Sequence, residues 1–332
     1  MSNHENRPHP LIDPFVPAVS AWALVAAVST GIFDAIDDGL HDAQAIARKL
    51  KLDPDGVEPL LDQLVCLGYL DKSSDGFNLT EVSRMTLADR SPHRLKNWVR
   101  FCRFQLLAME HIESTLSTGT RVDLTGLMKS ESDRRIHQFA MAETAIPAAD
   151  WVASQIPVPS GGEVMLDIGG SHGVYSAAIC KQNPPLRSEI LELPLFVESA
   201  KSVAEELGTT QFVHHIEGDI LETELDRSYS LIFLGNLVHH FSTGELDTVL
   251  RKIYEHILPG GSIAIWDIAE REGEASLFSS AFSLFFYMTS GAKCYSSEEV
   301  ERFLSDTGFT EFASIKPPVP SPHILYTARK PI

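Results

Sequence analysis

Apolar residues repeat along this chain with two different periods. Up to about residue 155 the spacing is helical. Positions 57, 60, 61, 64, 65 and 67 mark one apolar face of a helix, and the Ala/Val-rich stretch 14–36 carries the same spacing. A short amphipathic helix is predicted after Asp42, and Leu52-Asp-Pro-Asp-Gly reads as a turn that starts the next helix. Gly68-Tyr69-Leu70 opens a short strand, Ser73 to Gly76 turns it, and Phe77-Asn-Leu-Thr returns. Helix, turn, helix and hairpin in that order predict a winged helix. Residues 93–118 and 132–155 are helical and aromatic-rich, and Pro157 to Gly162 is a breaker cluster.

From residue 163 onward the pattern changes. Short apolar runs occur at 164–168, 188–191, 212–216, 231–234 and 262–266, with helical patterns between most of them. Two further candidate strands are 311–316 and 323–328. Alternating strands and helices predict an α/β domain built on a mainly parallel sheet.

Composition narrows the function classes. The formal net charge is −18, so the surface repels nucleic acid and anionic membrane. Residues 1–90 hold 7 Lys and Arg against 14 Asp and Glu. Affinity for DNA rests on neutralising phosphates with basic groups, so the winged helix is expected not to read DNA. Four cysteines, Cys66, Cys102, Cys180 and Cys294, are scattered without a Cys-x-x-Cys pair, which predicts neither a disulfide framework nor a zinc site. The segment up to Pro10 is polar, and the apolar patch at 18–28 is too short to span a bilayer. A cytoplasmic protein without membrane attachment is expected.

The densest chemical signal is Asp167-Ile-Gly-Gly-Ser-His-Gly173. A buried strand ends in an acid and runs into a glycine turn that opens a helix. Gly169, Gly170 and Gly173 allow a sharp bend and close approach of backbone to a ligand. The spacing is neither a phosphate-binding loop nor the Gly-x-Gly-x-x-Gly dinucleotide fingerprint. An acid within the turn would repel pyrophosphate, which favours a nucleoside ligand without phosphates. Glu192 closes the second strand, where a carboxylate can bond both ribose hydroxyls. Gly218-Asp219 closes the third, a place suited to an adenine amino group. Each acid alone would read as a helix cap; three in register after successive strands predict an adenosine site. The fourth strand ends near His239-His240-Phe241. A histidine there faces the ligand crevice and titrates near neutral pH, so His239 is the candidate general base, with His240 the lesser candidate.

These residues resemble the S-adenosylmethionine-dependent O-methyltransferases of the caffeate and hydroxyindole type, over nearly the whole chain. Asp167-Ile-Gly-Gly-Ser-His-Gly173 is similar to the family's Asp-x-Gly-Gly-Gly-x-Gly, with Ser171 at the third glycine. Glu192-Leu193-Pro194 looks like the ribose-binding Asp-Leu-Pro, and Gly218-Asp219 like the adenine contact. His239-His240-Phe241 falls on the segment where the catalytic histidine precedes Asp-Trp. Phe139-Ala-Met141 is similar to a Phe-x-x-Met segment before the linker. Asp267 takes the place of one acid flanking the base, whereas Cys294 stands where the family has the second.

The resemblance implies a winged-helix dimerisation domain over 1–105, connecting helices over 106–160, and a Rossmann-like methyltransferase domain over 161–332. It implies a homodimer, S-adenosylmethionine as cofactor and no metal. His239 would take a hydroxyl proton during in-line methyl transfer, with Asp267 holding the ring. Phe139, Met141, Phe282 and Phe286, with Phe285 and Met288, are expected to line a flat apolar pocket for a small aromatic acceptor of natural-product type. Methylation of nitrogen or carbon, or a non-methylating enzyme that binds the same cofactor, are the alternatives.

Overall fold

A computed structural model of the protein describes residues 13–270 and 276–332. The polar segment up to Pro10 lies outside the described residues. The chain divides into two compact units, one ending at Arg103 and the other running from Phe104 to Ile332.

The first unit opens with α1 (Phe15–Thr30) and α2 (Ile32–Asp37). The helical spacing over 14–36 is divided between the two helices at Gly31, which adopts φ 84° and caps α1 with its backbone N–H. A left-handed residue cannot continue a right-handed helix, so the apolar face restarts in a new direction. Asp42 caps α3 (Ala43–Leu50) by accepting from the Ala45 N–H at 2.8 Å. Pro54 begins α4 (Pro54–Cys66) behind the Asp53 cap. Strands β1 (Leu70–Ser73) and β2 (Gly76–Leu79) form the antiparallel hairpin, followed by α5 (Glu81–Thr86). Phe33, Ile46, Leu61, Leu64 and Leu70 are fully buried inside this unit. The division between the units falls within α6 (Lys96–Met109).

The second unit continues with α7 (Ile112–Thr118), α8 (Leu124–Leu127) and the long α9 (Glu131–Gln155). The α/β pattern then follows: β3 (Val164–Ile168), α10 (Val174–Gln182), β4 (Arg187–Glu192), α11 (Val197–Leu207), β5 (Val213–Glu217) and β6 (Tyr229–Gly235). A 3₁₀ turn at Val238–His240 leads to α12 (Thr243–His256) and β7 (Ile257–Ile268). The chain ends with α13 (Leu277–Ser290), α14 (Ser297–Thr307), β8 (Thr310–Ile315) and β9 (His323–Arg329). The seven strands form one sheet in the order β5-β4-β3-β6-β7-β9-β8. The first five are parallel, and β9 runs antiparallel to both its neighbours.

Alternation along β6 shows how the layers form. Leu231 and Phe233 pack with Val152 of α9 and Ile179 of α10, whereas Ile232 and Leu234 pack with Val249 of α12 and Leu304 of α14. Both faces of the strand are buried, which is why it reads as a continuous apolar run. Helix α9 is therefore a core layer of this unit. The chain moves from β3 outward to β5, then returns to the other side of β3 to lay down β6. Such a reversal opens a crevice at the carboxyl ends of the strands. No helix among the described residues is long and apolar enough to cross a membrane.

Candidate active site

A cavity of about 370 Å³ opens at that reversal, within the range of small-molecule sites. Asp167, Gly169, Gly170, Glu192, Gly218 and Asp219 all line it. Three successive strand ends thus deliver the expected carboxylates to one space. Gly173 does not line it. It takes φ 70° at the start of α10, and a Cβ there would lie 3.0 Å from Ile190 and Val213. Its smallness serves packing of the helix on the sheet.

Glu192 organises the glycine turn. Its Oε2 accepts from the Ser171 N–H at 3.0 Å and its Oε1 from the Leu193 N–H at 2.9 Å. Burial outweighs these bonds and pushes its pKa up to about 7. Asp167 is buried, with Oδ2 accepting from the Ser176 hydroxyl at 2.6 Å. Its Oδ1 has no partner among the described residues. Burial, opposed by the Ser176 bond and reinforced by Glu192, raises its pKa to about 7. A Cβ on Gly170 would run into the Asp167 carboxyl.

Ser171 occupies the third glycine position at φ 52°, a region that costs a non-glycine residue backbone energy. Three contacts hold it there. Its hydroxyl donates to Gln138 Oε1 on α9, its carbonyl bonds His215 Nε2 at 2.7 Å, and its N–H is held by Glu192. The next residue is anchored as well: the Thr209 hydroxyl donates to the His172 carbonyl at 2.8 Å. The sequence revealed the serine but not these partners, which lie 33, 44 and 21 residues away. Asp219 Oδ1 accepts from the Leu221 N–H at 2.9 Å, which fixes the turn after β5.

At the end of β6, His239 Nδ1 is hydrogen-bonded to Asp267 Oδ1 at the end of β7. Asp267 also accepts from the Ile268 N–H at 2.7 Å. Burial raises the Asp267 pKa, but the attraction and hydrogen bond of His239, helped by His323, hold it below the ordinary value. The imidazole of His239 is stacked on Phe286 at 3.9 Å and 16°, and lies 4.4 Å from the ring of His240. His239 is 5% exposed, and it is His240 that lines the main cavity. Burial, followed by repulsion from His239, pushes the His240 pKa down to about 3, so its ring is neutral at physiological pH.

Of the expected acceptor residues, Met141 lines the cavity; Phe139, Phe282 and Phe286 do not. Arg135 lies 5.4 Å over the ring of Phe139. Phe282, Phe285 and Phe286 cluster with Ala108, Ile268 and Cys294. Burial pushes the Cys294 thiol up to about 11, so it remains an uncharged thiol and does not replace a carboxylate electrostatically. Wall residues that sequence reasoning missed include Met128, His137, Tyr175 and Asn236. Asn236 directly follows the last residue of β6, the one local signal that pointed to it. Among the described residues no group of three or more His, Cys, Asp or Glu is placed to hold a metal ion.

The arrangement fits an adenosine-bearing ligand: a glycine turn, a carboxylate with an unmet oxygen, and two further acids at adjoining strand ends. Residues 94–310 match the model of the O-methyltransferase domain, and residues 18–89 match that of the O-methyltransferase dimerisation domain. The chain is 24% identical to the tetracenomycin polyketide synthesis 8-O-methyl transferase TcmO of Streptomyces glaucescens, over 99% of this chain and 98% of that protein. It is 25% identical to the L-tyrosine C(3)-methyltransferase of Streptomyces lavendulae, over 92% and 88% of the two chains. The crystal structure of human N-acetylserotonin methyltransferase in complex with SAM superposes with a TM-score of 0.86 at 22% identity, covering 100% of both chains.

Proposed function

The chain belongs to the O-methyltransferase family, and from that premise we propose that it methylates a hydroxyl of a small aromatic acceptor of natural-product type, using S-adenosylmethionine. The observation that carries the reading is the convergence of Asp167, Glu192 and Asp219 on one cavity at the end of the sheet from which the His239–Asp267 pair projects. The cofactor is also the one bound in the human structural neighbour.

Glu192 would accept from ribose hydroxyls, and Asp219 would meet the adenine edge. Asp167 and the backbone of Gly169 and Gly170 would border the aminoacyl side. S-adenosylmethionine, when bound, supplies an electrophilic methyl on a sulfonium whose sulfur departs with the bonding pair. His239 is the general base: Asp267 occupies Nδ1, which leaves Nε2 to take the hydroxyl proton as the new bond forms. Asp267 then stabilises the resulting imidazolium. The apolar wall excludes water and holds the acceptor in line, a source of rate independent of proton transfer.

The dimerisation-domain match supports a homodimer. The likeness to the L-tyrosine C(3)-methyltransferase supports a second reading, transfer to an aromatic carbon. Calorimetry with S-adenosylmethionine and its demethylated product, followed by mass analysis of a phenolic panel, tests both. Binding that is lost in Glu192→Ala, with a gain of one methyl on oxygen, supports the first reading. Binding absent in the unaltered protein overturns it.

A further inference from the structure

The wall at the end of β6 carries two hydrogen-bonding side chains whose capacity the fold leaves unused. Asn236 adopts φ 54°, a left-handed conformation that asparagine tolerates better than most residues. Its backbone N–H donates to the Trp266 carbonyl at 2.8 Å, which fixes the residue between β6 and β7. Its side-chain Oδ1 accepts from His323 Nε2 at 2.7 Å. His323 lies parallel to Trp266, 5.0 Å between ring centres and 15° between planes. The oxygen end of the amide is therefore committed. Its NH₂ group, on a residue that lines the cavity, donates to no described residue. His240 lines the same cavity, and neither of its ring nitrogens bonds to a described residue.

Strand order assigns a role. The three acids expected to hold adenosine come from β3, β4 and β5, on one side of the reversal. Asn236 and His240 follow β6, and His323 begins β9, on the side that carries His239 and Asp267. Both groups, free of a described protein partner and open to the cavity, lie on the half of the site that carries His239 and Asp267.

We propose that Asn236 and His240 form a polar clamp for an oxygen adjacent to the hydroxyl that is methylated, with His323 the positioning residue for Asn236. The acceptor class is then a phenol bearing a carbonyl ortho or peri to the reacting hydroxyl. This rests on the methyl-transfer reading above. In such a molecule the phenolic proton bonds internally to the carbonyl and is a poor target for a base. An amide NH₂ donating to that carbonyl competes for the oxygen and releases the proton toward His239. A site built around such donors rejects analogues that lack the oxygen, because its own groups would be left unpaired.

The test compares 1-hydroxyanthraquinone with 1-hydroxyanthracene. Each is titrated by fluorescence into the protein saturated with S-adenosylhomocysteine, and each is assayed for methyl transfer in parallel. The unaltered protein is expected to bind the quinone about tenfold or more tightly. Asn236→Gly, which keeps the left-handed backbone, and His240→Phe should each collapse that ratio. His323→Phe keeps a ring against Trp266 and removes the donor; it should lower the ratio without changing affinity for S-adenosylhomocysteine. Asn236→Asp keeps the shape but replaces the donor with an acceptor, and should invert the preference. Equal affinity for the two phenols in the unaltered protein, or an unchanged ratio in Asn236→Gly, overturns the clamp. A binding preference without methylation of either phenol leaves the clamp standing and removes the methyl-transfer reading instead.

Discussion

His239 and Asp267 are joined through Nδ1 and Oδ1 across the ends of two neighbouring strands, and both are almost completely buried. A buried carboxylate on one ring nitrogen selects the tautomer and orientation of the other. The pair is thus a directional device, with Nε2 as its free end.

Asp267→Asn conserves the volume but allows the amide to bond the wrong tautomer. Turnover of a methylated phenol is expected to fall by a factor of about 10²–10⁴, the range attributed to a positioned base and its orienting acid. Affinity for S-adenosylmethionine measured by calorimetry should stay unchanged. A variant with full turnover would remove Asp267 from the mechanism as the acid that orients His239.

Glu192 carries a cost that a neutral replacement would relieve. Its folded pKa of about 7 lies above the ordinary carboxyl value, so the folded protein binds the extra proton between about pH 4.5 and 7 and loses stability as pH rises through that window. Glu192→Gln should therefore stabilise the ligand-free protein at pH 8 by on the order of 1–3 kcal/mol, and by much less at pH 4.5. The same variant should weaken S-adenosylmethionine binding at pH 8. Denaturant titrations at the two pH values read the first effect, and calorimetry reads the second.

Histidines lowered by desolvation act in the opposite direction. Burial pushes His172 and His240 down to about 3, and His137 and His323 down to about 4. Each is lowered in the folded state, so the unfolded chain binds more protons below pH 6.5 and stability is lost as pH falls toward 4. With His215, also lowered by desolvation, these groups outnumber the two raised carboxylates, Asp167 and Glu192, so the net slope between pH 6.5 and 4.5 is a loss on acidification. Unfolding free energy measured across that range should decline; a flat or rising profile would contradict the burial of these rings.

Gly170 and Gly173 separate binding from packing. Gly170→Ala places a methyl against the Asp167 carboxyl and should weaken S-adenosylmethionine about tenfold or more, with a smaller effect on melting. Gly173→Ala meets Ile190 and Val213 in a left-handed position and should cost roughly 1–3 kcal/mol of stability. It should change cofactor affinity little. Paired melting and calorimetry on the two variants distinguish these outcomes.

Much of this was legible because the parallel strands are buried on both faces and announce themselves as apolar runs ending in an acid or a glycine. Asp167 and Glu192 could be placed at strand ends for that reason, whereas β5 before Asp219 is an edge strand with His214 and Glu217 exposed. The strand expected at 262–266 extends over Ile257–Ile268, and its pairing with β6 shifts register between Tyr229 and Leu231. What stayed hidden depends on contacts between distant segments. Nothing local distinguishes Gly170, at the cavity, from Gly173, in the packing. Two adjacent histidines give no sign of which ring enters the cavity; the 3₁₀ turn decides that His240 does. The Asn236–His323 bond spans 87 residues and exists only because β9 inserts beside β7.

That insertion has a consequence for how the protein is handled. Because β9 runs antiparallel, its first residue rather than its last arrives at the ligand end of the sheet. Leu325, Tyr326 and Ala328 of the same strand are core residues, so a change that displaces β9 would disturb the cavity wall and the core together.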